Sequence, residues 1–242
     1  MTDVSNDPPP PVYRPRPTWY AFIRSLAACV YWVLGGIESE GTENLPPKGP
    51  VIVAPTHFSF LDPPAIACAT KRHMRFMAKE ELFVHWFGKF IFTIGAFKVR
   101  RGDNDTSAIR YAISLINDGQ AVLVFPEGSR GDGETIGPVN KGVALLAKQT
   151  GAPIVPVAIV GTHIMLPRGQ KYPKRHRIKV IFGTPYRFQD INPNGKVTGA
   201  QFAQDLENRL LALSSQIGLP LKTSNSISIP PELLNPASPP AG

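Results

Sequence analysis

The amino-acid sequence predicts an α/β fold: a largely parallel or mixed central sheet flanked by helices, with an N-terminal membrane-docking helix. Three observations lead there. Short apolar, β-branched runs recur at "PVIVAP" (50–55), "AVLVF" (121–125), "PIVPVAIVG" (153–161) and "RIKVIFG" (177–183). Runs that are apolar at nearly every position read as strands covered on both faces, as in sheets sandwiched by helices. Segments of helical period separate them, and a long aromatic-rich apolar stretch precedes them all.

Taken in order, residues 1–18 are Pro-rich and polar, with too little apolar content to fold, and are expected to form a disordered tail. They do not read as a secretory signal, because they are Pro-rich and polar and no small-residue cleavage site follows the apolar run. Residues 19–40 follow as a membrane-associated helix. From Trp19 to Ile37 the stretch carries one charge, Arg24, and approaches the roughly 20 residues that span a bilayer. Arg24, Ser25 and the Gly35–Gly36 pair weaken a spanning reading. Trp19, Tyr20, Tyr31 and Trp32, with Arg14 and Arg16 ahead of them, suit a helix lying in the interface, and a core helix is the third reading. Residues 41–215 form the α/β domain, and the Pro/Ser-rich residues 216–242 are read as a second disordered tail.

Within the domain, "PPAIACAT" begins a helix at Pro63, since proline fits a first turn whose N–H is unbonded in any case. Another aromatic stretch, "LFVHWFGKFIFTIGAF" (82–97), either adds to a docking surface or packs on the sheet. "NDTSAIRYAISLINDGQ" places Ile109, Ala112, Ile113 and Ile116 on one helical face and Gly119 at the stop. "KGVALLAKQTG" is a short helix that ends at Gly151.

The chain suits one packed domain at 242 residues. Lys and Arg exceed Asp and Glu by 26 − 18 = 8, which favours anionic partners without separating nucleic acid, phosphorylated metabolites and membrane. Cys29 and Cys68 sit in apolar stretches and read as small buried hydrophobes in a reducing, cytosol-facing compartment, not as a disulfide framework.

The chemistry-bearing residues cluster at strand ends. In "VIVAPTHFSFLDPPAI" (51–66), His57 and Asp62 are five apart, about 140° apart on a regular helix, so they could not meet within one. Asp62 just before Pro63 is a good N-cap. His57 then belongs to the preceding turn, where a tight loop can join the two side chains. A carboxylate on one ring nitrogen fixes the tautomer and leaves the other nitrogen to take a hydroxyl proton. Spacing alone does not separate this pair from a helix cap beside an idle loop histidine. No Gly-x-Ser-x-Gly elbow surrounds Ser59, so the hydroxyl is expected from the substrate.

A second run, "GAFKVRR", ends in Arg100 and Arg101. A third, "FPEGSR", leaves a strand at Phe125. There Gly128 permits close backbone approach, Ser129 offers a hydroxyl, and Arg130 offers a planar donor fork suited to phosphate.

His57 and Asp62, then Gly95 to Arg101, then "FPEGSR", then "IVPVAI" (154–159) together resemble the glycerolipid acyltransferases. The bacterial and plastid-type 1-acylglycerol-3-phosphate acyltransferases are most similar, over roughly residues 45–190. That resemblance implies a membrane enzyme of phospholipid biosynthesis acting at the cytoplasmic face. It would move a fatty acyl group from acyl-CoA or acyl-ACP to the 2-hydroxyl of lysophosphatidic acid, giving phosphatidic acid. His57 would be the general base and Asp62 its orienting partner. Arg101 with Glu127, Gly128, Ser129 and Arg130 would hold the glycerol phosphate, and Pro156 would line the acyl-donor side. Ser129 stands where many members have Thr, and of the two adjacent arginines Arg101 has the matching spacing from Gly95.

No cofactor beyond the thioester donor is implied. Nor is a metal: His73, His85, His163 and His176 lack ligand spacing. The expected partners are the lysolipid, the thioester, the membrane surface and acyl carrier protein, not nucleic acid. Rival readings are the same transfer to another lysophospholipid or to glycerol 3-phosphate, and a lipid esterase or thioesterase that uses the pair with water.

Overall fold

The computed structural model describes residues 13–99 and 106–223. Nine strands are found there: β1 (Ile37–Glu40), β2 (Val51–Pro55), β3 (Met74–Lys79), β4 (Ala96–Val99), β5 (Ala121–Leu123), β6 (Thr135–Ile136), β7 (Ile154–Val160), β8 (Ile178–Phe182) and β9 (Lys222–Thr223). Seven make the central sheet, in the order β1-β8-β7-β2-β5-β3-β4, while β6 and β9 pair separately. Within the central sheet only β7 and β8 run antiparallel among the described residues. The predicted α/β class, a largely parallel sheet flanked by helices, holds.

Helices cover both faces, as the unbroken apolar strands require. Along β2, Val51 and Val53 point to one side, where α1 (Pro17–Val33) contributes Tyr31 and α2 (Asp62–Ala69) contributes Ile66. Ile52 and Ala54 point to the other side, with Leu115, Leu146 and Phe202. These three come from α4 (Thr106–Asn117), α5 (Lys141–Thr150) and α7 (Gly199–Gln216). Full burial of such a side chain contributes about 1.5–3 kcal/mol. The β2–α2–β3 crossover lies on the first face and the β4–α4–β5 crossover on the second, so the carboxyl ends of β2 and β5 meet side by side.

Several boundaries differ from the sequence reading. The helix expected over 19–40 runs Pro17–Val33, and Ile37–Glu40 is an edge strand paired with β8. The break is at Gly35, whose φ of +128° suits only glycine and where a Cβ would stand 2.4 Å from the His176 carbonyl oxygen. Residues 13–16 of the expected tail lie against the domain: Tyr13 stacks on Phe92, and its carbonyl accepts from Arg75. At the other end, Leu219 and Leu221 pack into the core and β9 pairs with β6, so the domain continues to Thr223. The strand expected over 121–125 closes at Leu123, although the Val124 N–H still bonds Val53. Cys29 is exposed on the outer face of α1, not buried, while Cys68 is half-buried.

α1 has two unlike faces. Tyr20 and Tyr31 are buried, and the Tyr31 hydroxyl donates to the Leu61 carbonyl at 2.9 Å. Trp19, Phe22, Leu26, Val30 and Val33, spaced three and four apart, are exposed. The 82–97 stretch folds as α3 (His85–Thr93) and β4, with Ile91 inside and Trp86, Phe87 and Phe92 outside. Trp19 Nε1 donates to Thr93 Oγ1 at 2.9 Å, which brings the two apolar faces side by side. No helix among the described residues is long and apolar enough to cross a membrane.

Candidate active site

β2 ends at Pro55, and the chain is then held by the Thr56 N–H donating to Val157 at 3.0 Å. His57 follows in the turn to α2. Its Nδ1 lies 2.9 Å from Oδ2 of Asp62, whose side chain is fully buried while the imidazole keeps 16% exposure. The same Oδ2 accepts the backbone N–H of Phe58 at 2.7 Å and of Ser59 at 2.8 Å. With Nδ1–H donating, Nε2 carries the lone pair and can take a proton.

One detail departs from the sequence reading. Asp62 is the first residue of α2, preceded by Leu61, and makes no side-chain cap to the helix. Its carboxylate turns backward and gathers three donors from the turn before it. Capping and histidine orientation, weighed as alternatives, resolve in favour of orientation.

The third motif reaches the first because β2 and β5 are neighbours in parallel register, Val51 beside Ala121 and Val53 beside Leu123. Carrying that register forward sets His57 beside Glu127, and the side chain closes the link. Glu127 Oε1 accepts the His57 backbone N–H at 3.1 Å, and Oε2 accepts the Gly137 N–H at 3.0 Å. In return the Gly131 N–H donates to the His57 carbonyl at 2.8 Å. Phe125 stacks on the imidazole, ring centroids 3.7 Å apart. Glu127 therefore points inward and braces the turn, where the sequence reading had it among the groups holding the glycerol phosphate. Burial pushes its carboxyl up to about 7, and nearby Asp62 and Asp132 push the same way against the two backbone donors.

Gly128, at φ +68°, turns the loop outward. Gly128 and Ser129 are exposed, and the Arg130 guanidinium lies 3.6 Å over the Phe60 ring. Arg130 is held below the usual arginine value, first by burial and then by the neighbouring Arg168, while Asp62 opposes the shift. A guanidinium stacked on one aromatic face leaves its in-plane N–H edge free for an oxyanion. Arg101 lies outside the described residues. Pro156 is buried within β7, opposite the bend that follows β8, and its carbonyl accepts from Gly183.

Ser59 is 1% exposed, and its hydroxyl donates to the Leu166 carbonyl at 3.3 Å, which removes it from reach of a substrate. Two groups at the site escaped the sequence reading. His163, in α6 (Thr162–Met165) just after β7, meets Phe58 edge to face at 5.9 Å, and burial lowers its pKa. Arg168 follows the Leu166 carbonyl held by Ser59. The signal available for both was their place after the carboxyl end of a central strand, where open α/β sheets bind ligands.

Chemically, the site offers an oriented imidazole, a buried carboxylate engaged through Oδ2 while Oδ1 has no partner among the described residues, and an arginine at its mouth. Residues 36–160 match the Acyltransferase family. A 1-acyl-sn-glycerol-3-phosphate acyltransferase of Bacillus subtilis is 28% identical over 82% of this chain and 98% of its own. One of Streptococcus pneumoniae is 33% identical over 79% and 73%. The crystal structure of the 1-acyl-sn-glycerophosphate acyltransferase PlsC from Thermotoga maritima superposes with a TM-score of 0.66 at 24% identity, covering 85% of this chain and 84% of that one.

Proposed function

The chain belongs to the acyltransferase family, and from that premise we propose that it acylates the 2-hydroxyl of 1-acylglycerol 3-phosphate with a fatty acyl thioester, producing phosphatidic acid. The donor is a thioester of CoA or of acyl carrier protein. The observation that carries the reading is the 2.9 Å bond between His57 Nδ1 and a buried Asp62. It orients Nε2 as a base without supplying any protein hydroxyl. The relatives named for this reaction support the choice of acceptor.

In the proposed step, Nε2 takes the proton of the acceptor hydroxyl as its oxygen attacks the thioester carbonyl. Asp62 stabilises the imidazolium, and the proton then leaves with the thiolate. General-base help of this kind contributes about 10²–10⁴-fold. Positioning supplies much of the rest, and for that the acceptor's phosphate is the natural handle. Arg130 holds it, joined by Arg101 with Gly128 and Ser129, while Glu127 keeps the turn in place from behind.

The lipid substrates place the reaction at a bilayer. The exposed stripe of α1 from Trp19 to Val33 docks on its surface, with Arg14 and Arg16 near the headgroups. The free thiols of Cys29 and Cys68 accord with the reducing, cytoplasmic side. A labelled acyl-transfer assay over a panel of lysolipids with both donor types tests the whole reading. Label appearing only in fatty acid, independent of any acceptor, would refute it in favour of hydrolysis.

A further inference from the structure

Between β7 and β8 the chain is strongly basic. Six of residues 168–179 are Lys or Arg, and no Asp or Glu occurs from 135 to 189. Lys171, Lys174, Arg175 and Arg177 are exposed, and of these four only Arg177 meets a carboxylate among the described residues, that of Glu38 at 3.9 Å. A single exposed lysine needs no partner. Like charges gathered without counter-charge repel one another, however, and a negatively charged surface relieves that repulsion.

Strand register fixes where this segment lies. Pro55 of β2 sits beside Val157 of β7, and Val160 of β7 sits beside Lys179 at the start of β8. The segment therefore leaves and re-enters the sheet at the carboxyl end of β2, the pole that carries His57. The carboxyl end of α1 reaches the same pole, because β1 follows it with Ile37 beside Ile178. Backbone bonds hold the segment there: Lys174 donates to the Met165 carbonyl and His176 to the Leu34 carbonyl, each at 2.7 Å. An open groove of about 470 Å³ runs between the two, lined by Trp32, Val33, Gly35, Gly36, Arg175 and Arg177. Around it the pole exposes large apolar side chains, with Trp32 at 75% and Tyr172 at 82%, and with Val33 and Ile164 beside them. Arg168, at the start of the segment, neighbours Arg130 at the mouth of the site.

We propose that Lys171, Lys174 and Arg175, beside Trp32 and Tyr172, form a docking surface for a bilayer of anionic phospholipid, and that this surface turns the mouth of the His57 site toward the membrane. Lys and Arg interleaved with exposed Trp and Tyr suit the headgroup layer, where rings enter the interface and cations meet phosphates. Continuity favours a bilayer over an acidic protein, because the basic edge runs directly into the apolar stripe of α1 and one flat membrane covers both. The inference goes beyond docking through α1: it assigns the charge of the membrane and the pole that faces it.

The test is co-sedimentation of the full chain with vesicles, without acyl donor or acceptor, so its outcome is separate from that of the proposed reaction. The wild type should bind equimolar phosphatidylcholine and phosphatidylglycerol vesicles more tightly than pure phosphatidylcholine. The triple variant Lys171→Gln, Lys174→Gln, Arg175→Gln should lose at least about 30-fold in affinity for the anionic vesicles, at a factor of about 5 per basic residue near such a surface. Its binding to pure phosphatidylcholine should change little, which also reports that the fold and the apolar stripe are intact. Lys48→Gln with Lys148→Gln removes exposed charges before β2 and in the last turn of α5, at the opposite pole, and should cost less than about 3-fold because distant charges are screened. No preference of the wild type for anionic vesicles, an equal loss on neutral vesicles, or an equal loss in the opposite-pole variant would overturn the proposal. So would unchanged vesicle binding by the triple variant, and if that variant had lost binding to acyl carrier protein the surface would belong to an acidic protein instead.

Discussion

The backbone N–H of His57 donates to Oε1 of Glu127 at 3.1 Å, across 70 positions of sequence. That bond, with Gly131 donating to the His57 carbonyl, makes two distant motifs one rigid unit. Preorganisation of this kind is what the proposed chemistry needs, since the base must meet the acceptor hydroxyl as it attacks the thioester. Glu127→Ala should therefore lower kcat at least about 10-fold, the scale of a small misplacement at a catalytic group. Acceptor KM should change little. A large KM rise at unchanged kcat would instead place Glu127 against the substrate.

Glu127 also sets a pH dependence of stability. Its folded-state pKa, about 7, lies above the ordinary value of 4.5 because burial disfavours the carboxylate. A raised acid pKa means the folded state binds the proton more tightly than the unfolded state. The associated stability is complete below pH 4.5 and is lost as pH rises toward 7. Urea unfolding should show the wild type losing stability between pH 5 and 8, and Glu127→Gln should flatten that slope. Equal slopes would remove Glu127 as its source.

For Asp62 two substitutions separate orientation from folding. Asp62→Asn places an amide oxygen where Oδ2 accepts from Nδ1 and the Phe58 and Ser59 amides but removes the charge that stabilises the imidazolium, and should lower kcat by about 10³–10⁴-fold with the fold intact. Asp62→Ala removes all three bonds at once and should cost about 2–4 kcal/mol of stability as well, because the freed donors are buried. Circular dichroism melts beside kinetics distinguish the two.

Arg130→Ala should raise acceptor KM about 10-fold or more and leave donor KM nearly unchanged, on the proposal that Arg130 holds the acceptor's phosphate. Arg130→Lys should recover only part of this, because an ammonium lacks the planar donor edge that stacking on Phe60 orients. A matching rise in donor KM would put the arginine on the thioester side.

How much of this was legible in the sequence depends on the range of the interaction. Four of the central strands, β2, β5, β7 and β8, were, because burial on both faces writes itself as unbroken apolar runs such as residues 51–54, whereas β1, β3 and β4, with polar or charged residues among their few positions, were not read as strands. The meeting of His57 with Asp62 was also legible, from local geometry: five residues and a proline. The inward role of Glu127 was not, because it exists only once β2 and β5 adopt their register, and a glutamate beside an arginine in a loop reads locally as a ligand. Nor was the end of α1, set by the close approach of Gly35 to His176, which belongs to a distant segment. Residues 13–16 looked like the rest of a polar tail, yet a buried arginine at position 75 holds them against the sheet.

The outer stripe of α1 gives a further expectation. Phe22→Glu with Leu26→Glu should move the protein off anionic vesicles, since each removes apolar area worth about 25 cal/mol per Å² from the docking face. Detergent should release the wild type, whereas high salt should only weaken it. Activity on a short-chain, water-soluble acceptor should persist in the double variant. Undiminished vesicle binding would point to α3, where Trp86 is 76% exposed.

The central claim is that His57 deprotonates a lipid hydroxyl during attack on a thioester, and one measurement meets it directly: transfer of a radiolabelled acyl group to 1-acylglycerol 3-phosphate by the wild type and by His57→Ala. The wild type should produce labelled phosphatidic acid in proportion to acceptor. The folded variant should fall by at least about 10³-fold, the combined loss of base and orientation. A folded His57→Ala protein that turns over near the wild-type rate would contradict the account.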